Sequence, residues 1–298
     1  KANHEQGQKW VDFESELSRV IQKVDNKIKD CELIGKPLYN TEHKFFLDLD
    51  FVNQPYLKIF DKKIAEYVYE KFNIHSTTDE IKKGIIDMLY ENLLKITTAI
   101  EIYLQTCVRS SPINCLPYFF NIGLFDKVIS FNYTNTFTTY LKAETDDNIC
   151  HIHGSIREKI SDINTPLVLG IDEYLSEDTR DRDIDWIMFK KFFQRIYRRS
   201  DYKYKGWSEF SPFSNTETQQ TELYIIGHSL DVTDQDVLRD LILRENQITK
   251  IFYRNSTQLA SELKNLIRII GSEELNRRCR SVPPSIIFIR QQPSPSGL

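Results

Sequence analysis

A change in the pattern of apolar residues at about Pro117 constrains the fold of this chain more than any other feature. Beyond it, short β-rich runs alternate with helical segments. Strands are predicted at about 127–131, 149–153, 167–169, 223–226 and 250–253. Helices are predicted at about 135–142, 182–199, 234–245 and 257–269. This alternation predicts an α/β core with a parallel sheet, in which ligands bind at the carboxyl ends of the strands.

The N-terminal part is predicted to be a helical lobe, residues 1–118. Apolar residues recur at three- and four-residue steps from Gln8 to about Lys29, and again from about Leu57 to Phe72. A third helix is predicted to begin at the polar cluster 76–79, which is typical of an N-cap, and to run toward Cys107. It is apolar on more than one face, so it either lies between partners inside the lobe or forms an interaction surface.

Composition and charge exclude several classes of protein. Apolar residues make up 40% and charged residues 28% of the chain, which excludes disorder for most of it. The formal net charge of -4 argues against a generally basic surface for nucleic acid or membrane. The five cysteines are scattered without a CxxC pair, so a disulfide framework or structural zinc site is not expected. With no apolar run of signal-peptide or membrane-spanning type, we expect a cytoplasmic protein.

The predicted domains are the helical lobe, an α/β core over 119–275 and a Pro/Ser-rich tail over 281–298. The tail is expected to be disordered, although its SIIFI run is a candidate for a late edge strand. The sequence begins with Lys1 rather than Met, and we expect the natural N-terminus to lie upstream of it.

A polar cluster follows the first predicted strand, from Ser130 through Asn132 and Thr134. Amide and hydroxyl groups converge here at a strand end, where a sheet offers a ligand pocket. Asn and Thr also turn a strand into a helix and cap that helix. The segment alone leaves both interpretations open.

The second predicted strand ends in the sequence HIHG. Strand alternation places His151 and His153 on the same side, and Gly154 allows the backbone to turn or to approach a ligand. One histidine could act as a general base, because imidazole titrates near neutrality. Two other interpretations remain: a metal site, for which no third ligand with suitable spacing is evident, and two hydrogen-bonded structural residues.

A loop of small residues follows the fourth predicted strand, with Gly227, Ser229 and Asp231. It differs from the GxSxG nucleophile elbow because Asp231 occupies the position of the second glycine. A strand, a glycine, a hydroxyl residue and a helix suit a phosphate or ribose bound near the helix start. An ordinary tight connection between strand and helix is the alternative.

Basic and aromatic residues are interleaved over 190–205, a pattern that can bind the nucleic-acid backbone and stack bases. A solvated helix face is the alternative, and the acidic residues that precede the segment would oppose a polyanion. The common phosphate fingerprints GxGxxG and GxxxxGK[ST] are absent from the sequence.

The order of these motifs resembles the AbiH family of bacterial proteins, which is associated with abortive infection against bacteriophage. The motifs are VISFNYTNT, HIHG, LVLGID, FFQRIY and LYIIGHSLDVTD, over about Asp126 to Asn255, with WVDFESEL near the N-terminus. That pattern is in turn similar to sirtuin-like domains. The resemblance implies a Rossmann-like (sirtuin-like) parallel sheet with helices on both faces, plus the N-terminal helical lobe, and it implies NAD as substrate or ligand without a metal.

The sirtuin-like resemblance also implies site residues. Asn132 would hold water and the nicotinamide ribose, and His153 would be the general base. Gly227 and Ser229 would lie near phosphates and ribose, and Asn255 would close the adenosine side. The implied catalytic residues are therefore Asn132 and His153, and the implied cofactor-binding residues are Ser130, Thr134, Gly154, Gly227, Ser229 and Asn255.

Two departures from the family pattern leave several functions open. Thr134 stands where the sirtuin-like motif carries an aspartate, and the first strand with its GNGFD-like loop is absent. An NAD glycohydrolase for antiphage defence is the first hypothesis. The alternatives are a nucleotide sensor without turnover and a nucleic-acid-acting protein that uses 190–205. The expected partners are a nucleotide ligand, a phage-derived trigger and further copies of the chain, with no membrane.

Overall fold

The computed structural model divides the chain into two compact units. One comprises Lys1–Thr106 and Arg157–Arg198, and the other comprises Cys107–Ile156 and Arg199–Leu298. The structure describes residues 11–33, 63–64, 66–68, 70–73, 75–108, 125–135, 148–160, 164–171, 184–200, 202–207 and 220–291. Within these ranges, no helix combines the length and the apolar character needed to cross a membrane.

Helices with apolar stripes form the first unit. Helix α1 spans Val11–Leu33, α2 spans Thr78–Tyr103 and continues as a π-helix over Leu104–Val108, and α3 spans Lys191–Arg198. The predicted N-cap of α2 is confirmed: Thr77 and Glu80 form a capping box in which each side chain accepts a hydrogen bond from the other residue's backbone N–H. Of the predicted helix from Leu57 to Phe72, half of the residues lie outside the described ranges, and the described residues between 63 and 71 are helical.

The core of the first unit lies where the apolar stripes of α1 and α2 meet. Val24, Ile28 and Ile85 are completely buried there, together with Trp186 and Phe189 from a later part of the chain. Residues 157–198, which the sequence places in the α/β core, therefore cluster with the N-terminal helices.

The strand predicted at 167–169 is not formed, and the side chain of Gln194 explains why. Its Oε1 accepts from the Leu169 N–H at 3.0 Å, and its Nε2 donates to the Leu169 carbonyl at 2.9 Å. A side chain thus satisfies the backbone groups that would otherwise need a neighbouring strand. Helix α3 is also shorter than the helix predicted over 182–199, because the backbone at 184–189 forms a tighter helical turn.

Parallel strands and helices form the second unit. Strands β1 (Val128–Ser130) and β2 (Ile149–His151) pair with each other, and β3 (Thr221–Ile226), β4 (Gln247–Tyr253) and β5 (Ile286–Arg290) form a second sheet in the order β3-β4-β5. The helices are α4 (Tyr202–Gly206), α5 (Gln235–Ile242), α6 (Ser256–Ile270) and α7 (Ser272–Arg280). The protein is therefore mixed α/β with small parallel sheets.

The apolar pattern of the second unit agrees with the predictions in most places. Strands β3 and β4 and helices α5 and α6 lie where the sequence places them, while the predicted helix over 135–142 lies outside the described residues. Strand β5 occupies part of the tail that was expected to be disordered. Its Ile286 pairs with Thr249 of β4 and is buried in the same apolar cluster as Ile251, and this burial stabilises the strand. The short helices α4 and α7 were not predicted.

Candidate functional site

Backbone and hydroxyl contacts hold the segment after β1 against the end of β2. Oγ of Ser130 accepts from the N–H of Asn132 at 3.2 Å, and the Ser130 carbonyl accepts from the N–H of Ile152 at 2.9 Å. The carbonyl oxygen of Asn132 lies 3.0 Å from Nδ1 of His151. These contacts fix the backbone of Asn132, whose side chain is exposed.

His153 lies in a turn rather than in the strand where the sequence places it. Strand β2 ends at His151, and Gly154 turns the chain with a φ of 75° while its N–H donates to the His151 carbonyl. The His153 residue is only 5% exposed, and its Nε2 lies 3.0 Å from Oδ1 of Asp234. Because a carboxylate can only accept, Nε2 of His153 carries the hydrogen of this contact.

Asp234 belongs to the tight turn that begins α5. The preceding Asp231 caps that turn, because its Oδ1 accepts from the Thr233 N–H at 3.1 Å. Asp234 stands at the N-cap position of α5 but makes no side-chain capping hydrogen bond, and it is 8% exposed. Its buried carboxylate therefore serves the imidazole of His153 rather than the helix end.

A second imidazole approaches the same carboxylate. Nε2 of His228, from the loop after β3, lies 3.7 Å from Oδ2 of Asp234, which is an electrostatic contact longer than a hydrogen bond. Nδ1 of His228 accepts from the Leu230 N–H at 2.9 Å, so the hydrogen of the neutral ring lies on Nε2. No group of three or more His, Cys, Asp or Glu suited to a metal ion occurs in the described part of the chain.

Aromatic rings enclose the two imidazoles. The ring centroid of Phe131 lies 4.3 Å from that of His228 and 5.7 Å from that of His153, and both pairs are edge-to-face. The Tyr133 ring lies 6.2 Å from the ring of His153. Both aromatic residues flank Asn132 in the sequence, so the segment after β1 places two aromatic rings beside the imidazole of His153.

Glu262 of α6 is a second buried acid in this region. It is 1% exposed, and its Oε1 accepts from Nε2 of Gln258 at 2.7 Å. Oε2 of Glu262 has no hydrogen-bond partner within the described residues. Burial raises the pKa of Glu262, while the hydrogen bond from Gln258 and the electrostatic interaction with His228 act in the opposite direction.

The family of the chain follows from its sequence as a whole. A family model described as bacteriophage abortive infection AbiH matches residues 1–254. The chain belongs to the AbiH family. The predicted family is therefore confirmed. No curated protein and no solved structure matches the chain.

In this AbiH protein, the predicted site residues fall into two groups. His153, Gly154 and Ser130 lie together at the ends of β1 and β2, with the backbone of Asn132 and a half-buried Thr134. The exposed residues Ser229 and Asn255 have structural contacts: the Ser229 carbonyl accepts from Asn265 Nδ2, and Asn255 Oδ1 caps α6 through the Gln258 N–H. Gly227 has a φ of 69°, which favours glycine at this turn.

The sequence analysis missed the other charged and polar members of the candidate site. His228 lies inside the motif GHSL, and Asp234 lies in the sequence DVTD directly after it, so the signal was present as a histidine and an acid behind a predicted strand. Glu262 gave no signal, because glutamate is an ordinary residue on the polar face of a helix.

Several basic residues of the segment 190–205 are buried in the AbiH structure. Lys190, Lys191 and Arg195 lie in the interior, and Nζ of Lys191 is 2.8 Å from Oε1 of Glu14. Tyr197 and Tyr202 are exposed. The segment is therefore not a uniformly solvated basic face of the kind that a nucleic-acid backbone requires.

Proposed function

We propose that this AbiH protein acts in abortive infection against bacteriophage in the cytoplasm by cleaving NAD at the bond between nicotinamide and ribose. The proposal assigns the reaction to a Rossmann-like, sirtuin-like core in the second unit. The observation that carries it is the buried His153–Asp234 contact beside the carboxyl ends of parallel strands, since ligands of such sheets bind at that edge.

The reaction needs a base more than an acid. Water adds to C1′ of the ribose while the C1′–N bond breaks, and the bonding electron pair neutralises the positive charge of the nicotinamide ring. One proton of the water passes to the base and then to solvent, which leaves ADP-ribose and neutral nicotinamide. The site must therefore orient the ribose, favour a developing oxocarbenium ion and accept this proton.

His153 and Asp234 supply these properties in the proposal. With the hydrogen of Nε2 directed at Asp234, the lone pair of the neutral His153 ring lies on Nδ1, which accepts the proton from water. The carboxylate of Asp234 fixes the orientation of the ring and stabilises the imidazolium that forms.

Five further residues are assigned to the substrate. The exposed amide of Asn132 orients the nicotinamide ribose and the attacking water, with the hydroxyls of Ser130 and Thr134 nearby in the same segment. At Gly227, a side chain would meet no atom of the described residues within 4 Å, so we assign the backbone there to the approach of phosphate or ribose. Gly154 keeps the turn after His153 close to the substrate.

Nucleotide binding without turnover is a second candidate, and the burial of His153 favours it. The ring is covered by Phe131 and Tyr133, so a substrate reaches it only after one of these rings moves. A sensor would bind ADP-ribose and leave NAD intact.

Nicotinamide release from NAD tests the proposal. We would incubate the protein with NAD, alone and with extract of phage-infected cells, and compare it with His153→Ala and Asn132→Ala. The proposal expects release by the unsubstituted protein and loss in both variants. Calorimetric binding of ADP-ribose without release would support the sensor, and intact NAD with no nucleotide binding would exclude both functions.

A further inference from the structure

Two imidazoles from different loops share the carboxylate of Asp234. Oδ1 lies 3.0 Å from Nε2 of His153, and Oδ2 lies 3.7 Å from Nε2 of His228. His153 follows β2, whereas His228 follows β3. Any rotation of the carboxylate toward one ring therefore changes its distance from the other.

The loop Gly227–Leu230 holds His228 in a defined orientation. The Leu230 N–H donates to Nδ1 of His228 at 2.9 Å, and positive φ values at Gly227 and Leu230, 69° and 53°, form the tight turn that makes this contact possible. The hydrogen on Nε2 is thereby directed at Asp234. His228 is a donor whose position depends on the conformation of this loop.

The surroundings of His228 come from three other elements. Phe131, from the segment after β1, packs 4.3 Å from its ring. Glu262 of α6 interacts with it electrostatically, and Asn265 of the same helix donates to the Ser229 carbonyl at 3.1 Å. The loop is thus attached to α6 on one side and to Asp234 on the other.

We propose that His228 is a positioning residue that transmits occupancy of the loop Gly227–Leu230 to His153 through Asp234. The inference rests on the proposed function, since the occupant is the phosphate and ribose portion of a nucleotide. An anion at the loop shifts its backbone N–H groups and the His228 ring with them, and the contact with Oδ2 shortens to a hydrogen bond. Contacts of this kind are often long in the free enzyme and tighten in the complex.

Tightening at Oδ2 has a direct effect on the base. Each additional hydrogen bond to the carboxylate of Asp234 limits its rotation. The additional hydrogen bond from His228 limits movement of Oδ1, so the His153 ring is held more firmly in its orientation when the nucleotide is bound. The arrangement links binding at one loop to the geometry of another.

Two substitutions of His228 separate its donor from its acceptor. Asn in place of His228 keeps an acceptor near the Nδ1 position for the Leu230 N–H but lacks the donor at Nε2. Gln places an N–H donor near the Nε2 position and loses the acceptor. Only the donor contacts Asp234. We therefore expect the response of His153 to nucleotide binding to be lost in His228→Asn and restored in His228→Gln.

The experiment is a ring-nitrogen NMR titration with ADP-ribose as the probe, on protein labelled with ¹⁵N-histidine. In the unsubstituted protein, ADP-ribose should shift the signals of both His228 and His153. In His228→Asn the nucleotide should still bind while the His153 signals stay in place, and His228→Gln should restore most of the shift. For NAD cleavage, we expect kcat of His228→Asn to fall roughly ten- to hundredfold with little change in KM.

The outcomes distinguish this inference from the proposed function. A His153 shift without NAD cleavage supports the coupling and rejects the cleavage. If NAD is cleaved and His153 responds in His228→Asn as it does in the unsubstituted protein, the coupling alone is rejected. The coupling is also rejected if ADP-ribose shifts the His228 signals of the unsubstituted protein and leaves those of His153 unchanged. If the unsubstituted protein does not bind ADP-ribose, both are overturned. Circular dichroism and thermal unfolding establish that the variants are folded.

Discussion

Nε2 of His153 lies 3.0 Å from Oδ1 of Asp234, and this contact joins the turn after β2 to the start of α5. The motif HIHG and the sequence DVTD thus contact each other, although 76 residues lie between them. Both residues are buried, so their contact differs from an exposed ion pair, which contributes little to stability. A histidine oriented by a buried carboxylate is the arrangement that a general base requires.

Asp234→Asn should remove the orientation of His153 and the charge that stabilises its protonated form. We expect nicotinamide release to fall by about 10²- to 10⁴-fold, the usual contribution of general base catalysis. The measurement is kcat/KM for NAD. Asp231→Asn is the matched control, because Asn also caps the turn at 231, and its rate should be unchanged. Equal rates for Asp234→Asn and the unsubstituted protein would contradict the assignment of His153.

Glu262→Gln should stabilise the protein above neutral pH. Burial raises the pKa of Glu262 above the ordinary 4.5, so the folded state binds the carboxyl proton more tightly than the unfolded state does. The free energy of unfolding therefore falls as pH rises from 4.5 through the pKa of the folded state. Gln removes the buried charge and with it the pH-dependent penalty, which we expect to be about 1 kcal/mol.

The measurement for Glu262 is thermal unfolding between pH 4 and pH 8. The gain of Glu262→Gln should be largest at pH 8 and should shrink toward pH 4, below the ordinary value of 4.5, where Glu262 is mostly protonated in both states. A gain that does not change with pH would show that charge burial is not its cause.

Arg157→Ala should destabilise the first unit strongly. Glu101 of α2 is completely buried, and the Arg157 guanidinium binds both of its oxygens, with Nε 3.0 Å from Oε1 and Nη2 2.9 Å from Oε2. Burial alone would raise the pKa of Glu101, but the hydrogen bonds from Arg157 lower it. Removal of the guanidinium leaves a buried carboxylate with much less compensation, at a cost of about 3 kcal/mol in the free energy of unfolding.

Urea denaturation at pH 7 measures this cost. The control is Lys82→Ala, which removes the partly exposed ion pair with Asp185 in the same unit and should cost less than about 1 kcal/mol. Similar losses in the two variants would contradict the buried character of the Glu101–Arg157 pair.

Glu274→Gln should destabilise α7 at neutral pH and have no effect in strong acid. Hydrogen bonds from Arg277 and Arg278 lower the pKa of Glu274 to about 2. The stabilisation is therefore complete above pH 4.5, the ordinary value, and is lost as pH falls through about 2. Arg278 also donates to the carbonyls of Leu243 and Arg244 at the end of α5, so the change affects more than one helix.

Thermal unfolding as a function of pH tests the role of Glu274. We expect a loss of roughly 1–3 kcal/mol at pH 7, typical of hydrogen bonds to a charged group. The neighbouring Glu273, which is exposed, provides the control Glu273→Gln, with an effect within about 0.5 kcal/mol. A constant loss down to pH 2 would be inconsistent with ionic stabilisation.

The alternation of strands and helices could be predicted from the sequence wherever apolar runs are paired with caps. Strands β3 and β4 and helix α6 are examples. The predicted strand at 167–169 failed because a strand depends on its partner, and Gln194 took the place of that partner. Local patterns cannot indicate such a side chain, which lies far along the chain.

Only part of the candidate site could be predicted, because only some of its residues carry a local sequence signal. His153 stands next to a glycine after an apolar run, a local signal that the sequence carries directly. Asp234 and Glu262 stand where acids ordinarily face solvent or cap a helix, and only the packing of β3, α5 and α6 buries them. Burial of a polar group depends on its tertiary neighbours, so the periodicity of apolar residues in the sequence does not indicate it.

A crystal structure of the protein with ADP-ribose tests the central claim most directly. We expect the phosphates at the loop Gly227–Leu230 and the terminal ribose beside the Asn132 amide, within about 2.6–3.2 Å of His153 directly or through one water. The Phe131 or Tyr133 ring should have moved to admit it. ADP-ribose bound elsewhere, with His153 still enclosed by both aromatic rings, would contradict the account.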